Sequence, residues 1–225
     1  MNILTTLFPN TMDKLPQFTE SIFQTLQMVA LAGAVSFVIG LVFGVVLTVT
    51  RRGGLLAHPL FYSVLDKLIN IFRSIPFVIL LTALLPLTRA VVGTAIGTRG
   101  AMIPLIFGTV PFFSRQVEAA LAELDPGLIE AAQSMGDGPW EIIFKVYLRE
   151  SIPALARATT ITTISLIGLT AMAGAIGGGG LGNFAIMWGH QRQQTDCTYA
   201  AMIVILALVF AVQAIGNWII RKTTH

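Results

Sequence analysis

The sequence predicts an all-α polytopic membrane protein of about five transmembrane helices, and three observations predict it. Hydrophobic residues make up 55% of the chain and charged residues only 11%, where a soluble domain carries about 25% charged. So few charges cannot cover a water-facing surface, whereas a bilayer core needs none. Apolar runs with few charges recur along the chain, near the ~20 residues a membrane-crossing helix needs. Between the third and fourth runs lies one polar segment that is nevertheless patterned as helix.

Residues 1–20 are mixed, carry Pro9 and Pro16, and are expected to lie as a tail at the membrane surface. The run 21–50 has no charge and far exceeds the apolar region of a signal peptide, about 7–15 residues, so no cleaved leader is expected. As a helix it rises about 45 Å against roughly 30 Å of hydrocarbon, which makes it tilted or protruding. A second span is expected over 68–88, interrupted only by Arg73. The third, 98–122, has a short uncharged stretch and must continue past Arg115. The fourth covers 151–176, with Arg157 near its start, and the fifth 197–220. Residues 21–225 thus read as one transmembrane domain with an internal loop at 123–150.

Five spans put the ends of the chain on opposite sides, and the basic residues choose between the two arrangements. With the N-terminus outside, the inner segments hold Arg51, Arg52, Lys67, Arg115, Lys145, Arg149, Arg221 and Lys222. The outer ones hold only Lys14, Arg89, Arg99 and Arg192. This favours N-out, C-in, and the scattered positive charge reads as topology with no nucleic-acid stripe.

The loop is built of helices. Phe113, Val117, Ala120, Leu121 and Leu124 recur at helical spacing. Asp125-Pro126 then ends one helix and starts another, with Asp125 as N-cap and Pro126 at the first helical position. Gly136 caps this short helix at its C-terminus. Gly138-Pro139 starts a third, with Trp140, Ile143, Phe144, Tyr147 and Leu148 on one face. Glu141, Lys145 and Arg149 lie on the other face. On pattern alone, this is either a surface loop folded on its own membrane domain or a docking element for a soluble partner.

Glu130-Ala131-Ala132, followed by Gly136 and then Val146-Tyr147-Leu148, resembles the EAA loop of bacterial ABC importer permeases. Arg149 stands where that signature has proline, and Pro153 follows four residues later. Three further segments are similar to the permeases of methionine importers: 70–77, 88–97, and 173–177 leading to 180–182. The resemblance covers most of the chain from about residue 23. It implies a type I ABC importer permease fold in the bacterial inner membrane. It makes the loop a cytoplasmic coupling helix entering a groove on the ATPase, with Glu130, Ala131, Ala132, Met135 and Gly136 as its coupling residues. It also implies a second copy of this chain, two ATP-binding subunits, and an outer methionine-binding protein, periplasmic or lipid-anchored. L- and D-methionine would pass between the two permease copies by alternating access, among membrane lipid. Another polar amino acid is the alternative substrate.

Chemistry within the chain points the same way. The five spans read as free of Asp, Glu and His, which argues against an ion-driven carrier. No phosphate-binding loop of the P-loop type is present. The chain is therefore expected to be non-catalytic and to bind no cofactor or metal, with ATP and magnesium held by a partner. No catalytic pair of an intramembrane enzyme is seen, and His58, His190, His225 and Cys197 lack metal-ligand spacing. Arg73 either faces the protein interior near Pro76, where a broken helix frees carbonyls, or snorkels to the inner surface. Gly108, Gly168 and Ala171 could line the pathway or simply pack. The glycines at 177, 179 and 182 match a dinucleotide fingerprint without the required strand, and read instead as a turn.

Overall fold

Uncharged length becomes helix. In the computed structural model, which describes residues 6–223, a short helix α1 (Pro9–Asp13) leads into α2 (Leu15–Thr50). Of the expected tail, residues 1–5 lie outside the described residues, as do 224 and His225. Most of the rest of that tail is helical: α2 begins at Leu15, after a turn at Lys14. Then follow α3 (Pro59–Ser74), α4 (Phe77–Ala83), α5 (Leu85–Val92) and α6 (Gly97–Ala122). The loop contains α7 (Pro126–Ser134) and α8 (Pro139–Glu141), the latter running into a π-helix, Ile142–Leu148. Next come α9 (Ile152–Ala175), α10 (Gly180–Phe184) with a second π-helix, Ala185–His190, and finally α11 (Thr195–Thr223). No strand occurs among the described residues.

Three continuous stretches are long and apolar enough to cross a membrane: α2, α9 with its continuation to His190, and α11. A fourth arises if α5 and α6, bent by 118° at residues 93–96, count as one broken span. The second expected span, 68–88, needs correcting, because it is not one helix. α3 ends at Ser74, and α4 opens after Pro76. Proline has no N–H to donate and pushes the residue before it out of the α region, so the helix stops there. Pro86, in the first turn of α5, marks the second interruption near Leu84.

The chain divides into two compact units. One takes in residues up to Val35, Ile75–Phe107 and Thr163–Val212; the other has Ser36–Ser74, Gly108–Thr162 and the chain from Gln213. In the first, Met28, Ala32, Leu81, Ala101, Leu105, Leu166 and Ala173 form one buried cluster. Leu181, Phe184, Cys197 and Ala201 form another. There the end of α1 is tied to α11, since Asn10 Nδ2 and the Thr11 amide donate to the Asp196 carboxylate at 2.9 and 3.1 Å.

In the second unit, α2 meets α6 through Gly40-x-x-x-Gly44. A Cβ placed on Gly44 would lie 2.5 Å from Val117 Cβ, so only glycine permits this approach. Large apolar side chains are exposed on the outer helices. Leu60, Phe61, Val64, Leu68 and Ile71 all point outward from α3, and Tyr62 and Asp66 are turned partly inward. Lys67, Asn70 and Arg73 are exposed on the same helix and Ile69 is buried, so α3 has a mixed outer side whose apolar part suits a lipid or protein neighbour.

Candidate functional site

Val117 and Leu121 near the end of α6 are buried with Ala132 of α7, Ile142, Ile143 and Tyr147 of the first π-helix, and Val49 and Ala158. This shared core holds the segment 123–150 in place. Its local shape comes from caps close in sequence. Asp125 accepts a hydrogen bond from the Gly127 amide at 2.9 Å, and Pro126 opens α7. At the other end Gly136 takes φ +89, in the left-handed region. This lets the Asp137 amide reach the Ala132 carbonyl at 3.1 Å and close the last turn. Glu141 accepts from the Gly138 amide at 3.1 Å and pairs with Lys145 Nζ at 2.8 Å. The Lys145 hydrogen bond and the Gly138 amide together hold the Glu141 carboxyl below its ordinary range.

α7 lies with Ala132 buried and Ile129 half-buried beneath it, and with Leu128, Glu130, Ala131, Met135 and Gly136 exposed. Leu128, Ala131 and Met135 sit at i, i+3 and i+7 and make one outward apolar stripe, Met135 being 77% exposed. Glu130 makes no ion pair among the described residues. Three of the five candidate coupling residues lie in α7, and Met135 and Gly136 form its C-terminal cap; all but Ala132 are exposed.

The face expected for the third loop helix needs correction. Trp140 and Phe144 are 70% and 62% exposed, whereas Ile142, Ile143 and Tyr147 are buried. In a π-helix the hydrogen bonds run from i to i+5, which widens the turn and rotates the buried face relative to an α-helix. The outcome is two more outward aromatics beside the α7 stripe. With Arg149 in place of proline, Arg149 and Glu150 stay helical and the turn falls at Ser151.

The pathway candidates do not form one group. Arg73 is exposed in the last turn of α3 of the single chain and has no ion pair among the described residues. Pro76 stands at the start of α4. Gly108 is half-buried in α6. Gly168 is exposed on α9, and a Cβ there would meet nothing within 4 Å. Ala171 packs: a Cβ built on Gly182 would lie 2.2 Å from its carbonyl oxygen. Among the described residues no three His, Cys, Asp or Glu side chains converge as a metal site.

Sequence reasoning missed a polar cluster. Arg115 bridges Asp66 of α3 and Glu118 of α6, and Tyr62 joins it. From the sequence Arg115 counts only as one of the inner basic residues. The carboxylate-free reading of the spans also needs amending, since α6 continues through Glu118. The available signal was Tyr62, Asp66 and Asn70 at i, i+4 and i+8, opposite Arg115 and Glu118 at i, i+3.

Residues 37–225 match the family model described as the binding-protein-dependent transport system inner membrane component. A probable D-methionine transport system permease protein of Vibrio cholerae is 44% identical over 202 residues, 90% of each chain. The methionine import system permease protein of Bacillus subtilis is 49% identical over 173 residues, 77% of this chain and 78% of its own. Among solved structures, an inward-facing conformation of the MetNI methionine ABC transporter superposes with a TM-score of 0.90 at 41% identity, covering 95% of this chain and 99% of that one. An amino acid ABC transporter crystallised with histidines shares the fold, with a TM-score of 0.78 at 18% identity, over 96% of this chain and 98% of its own.

Proposed function

This chain belongs to the family of inner membrane components of binding-protein-dependent transport systems, and from that premise we propose that it forms, with a second copy, the methionine pathway of an ATP-driven importer. What carries the reading is the outward apolar stripe of α7, on an element outside the spans, in a chain 44% identical to a D-methionine permease across nine-tenths of its length. The chain is a non-catalytic permease subunit, and ATP hydrolysis belongs to a separate subunit.

In this proposal α7 enters a groove of the ATPase. Ala131 is small enough to pass its walls, Leu128 and Met135 supply apolar contact, and Glu130, in the first half of the helix, meets a basic side chain. ATP and magnesium sit on that partner. The N-terminus lies outside and the C-terminus in the cytoplasm, which the distribution of arginine and lysine favours. An outer binding protein delivers L- or D-methionine, and closure of the ATPase pair drives alternating access. Lipid covers the apolar outer stripes.

The experiment is uptake of radiolabelled methionine by cells lacking the gene, with and without its restoration. Loss on deletion, recovery on restoration, and competition by unlabelled methionine but not by other amino acids are expected. Unchanged methionine uptake with no redundant transporter operating would remove methionine as the substrate, and the assay would move to other polar amino acids.

A further inference from the structure

The last turns of α6 carry two working faces. Val117 and Leu121 are buried against the loop that holds α7. Arg115 and Glu118, in the same turns, reach toward α3 instead. Arg115 Nη2 hydrogen-bonds the Asp66 carboxylate and lies 3.3 Å from the Asp66 carbonyl oxygen. Nη1 donates to Glu118 at 2.6 Å. The Tyr62 hydroxyl donates to the other Glu118 oxygen at 3.3 Å, and Asn70 Nδ2 to Asp66 at 3.2 Å. The side chains of Arg115, Asp66 and Glu118 are 16%, 27% and 15% exposed. Arg115–Asp66 is the one ion pair among the described residues that joins distant parts of the sequence.

Stability alone does not account for such a cluster. Replacing a buried ion pair or triad by apolar side chains of similar volume is often neutral or stabilising. What a planar guanidinium between two carboxylates adds is register, because its donors are fixed in direction. Apolar side chains can slide past one another and stay in contact. A slip of α3 by one turn, about 5.4 Å, would break the bonds that cross between the helices, from Arg115 to Asp66 and from Tyr62 to Glu118.

We propose that Arg115 is a positioning residue that clamps α3 to α6, so that displacement of α7 by the ATPase carries α3 with it. The inference rests on the docking reading above. It concerns a different link, between the end of α6 that carries the loop and α3.

The test uses the whole importer, permease with ATPase subunit and binding protein, in lipid vesicles. Methionine uptake and ATP hydrolysis are measured together, and a spin label at the exposed position 68 of α3 reports on that helix when ATP binds. In Arg115→Met the complex is expected to assemble and hydrolyse ATP. Uptake per ATP should fall by about 2- to 30-fold, the span of typical coupling energies, and the label should lose its response. Asp66→Asn, which keeps an acceptor, should show a smaller fall. Exchanging the charges, Asp66→Arg with Arg115→Asp, should restore part of the ratio.

Unchanged uptake per ATP with an unchanged label response would overturn the clamp. So would uptake and hydrolysis falling in step with the amount of assembled complex, the mark of a merely structural role. If Arg115→Met does not assemble, Asp66→Asn and Tyr62→Phe decide on the same ratio. A wild-type importer whose label responds to ATP but which takes up no methionine would remove the substrate reading and leave the clamp standing.

Discussion

Of the short helices that start or end at a left-handed glycine, α7 and α10 are packed in opposite ways. At the end of α7, Gly136 has φ +89 and open space around it, and a Cβ there would meet nothing within 4 Å. The caps of that segment are local, from Asp125 to Gly127 and from Glu141 to Gly138. At the start of α10, Gly180 has φ +72, and a Cβ there would lie 2.7 Å from Thr25 Oγ1. Its caps come from far away: the Gly180 amide donates to Gln24 Oε1 at 2.8 Å and the Leu181 amide to Thr25 Oγ1 at 2.9 Å. Leu181 and Phe184 are buried, whereas Met135 and Trp140 are exposed. An element that holds its own shape through local caps can leave a face free. One capped from another helix is part of the core.

The largest expected effect comes from forcing a side chain into the buried turn. Gly180→Ala combines left-handed backbone strain of about 1–3 kcal/mol with a steric overlap, and should lower the thermal midpoint in detergent sharply. Gly136→Ala bears the strain alone and should leave the protein folded; equal losses at the two sites would break the contrast. Next in size, Met135→Asp or Glu130→Lys should lower uptake by roughly 30-fold, as loss of a contact hot spot does, with membrane insertion intact. Gly136→Pro belongs with them, since proline cannot adopt a positive φ. Normal uptake in all three would count against docking.

Thr25→Val leaves the buried Leu181 amide unpaired and should cost about 1–3 kcal/mol, read as earlier unfolding of a purified variant. The smallest effect concerns Glu141. Its folded pKa lies below the unfolded value, so its contribution is present above the unfolded pKa and is lost as pH falls through the folded one. Amide exchange around residues 138–148 should quicken on acidification, and Glu141→Gln should remove that pH dependence.

The apolar spans were legible because lipid selects on composition, and composition is what a sequence displays most directly. The loop was legible because its caps are written within three residues of one another, as Asp125-Pro126-Gly127 and Gly136 show. Other features were not. Hydropathy treats 68–88 as continuous because it weighs side chains and ignores the missing N–H of Pro76, although the proline itself was visible. Trp140 and Phe144 were assigned to the wrong face because a π-helix and an α-helix cannot be told apart by the residues they contain. The coupling candidates fell on α7 and its cap because they were adjacent in the chain. Arg73, Gly108, Gly168 and Ala171 were joined only by type, and type does not decide which side of a helix looks outward. The contacts of Gln24 and Thr25 with the glycine turn span 156 residues, a separation at which no local pattern speaks.

The bridge between Asp66 and Arg115 also has a consequence for biogenesis. The two residues are 49 positions apart, so α3 leaves the ribosome well before its arginine exists. Until then Asp66 has only its own helix and the surrounding water to satisfy it, and α3 is free to settle in more than one register. Arg115 closes the bridge when it arrives, so the alignment of α3 is decided by a residue made after it.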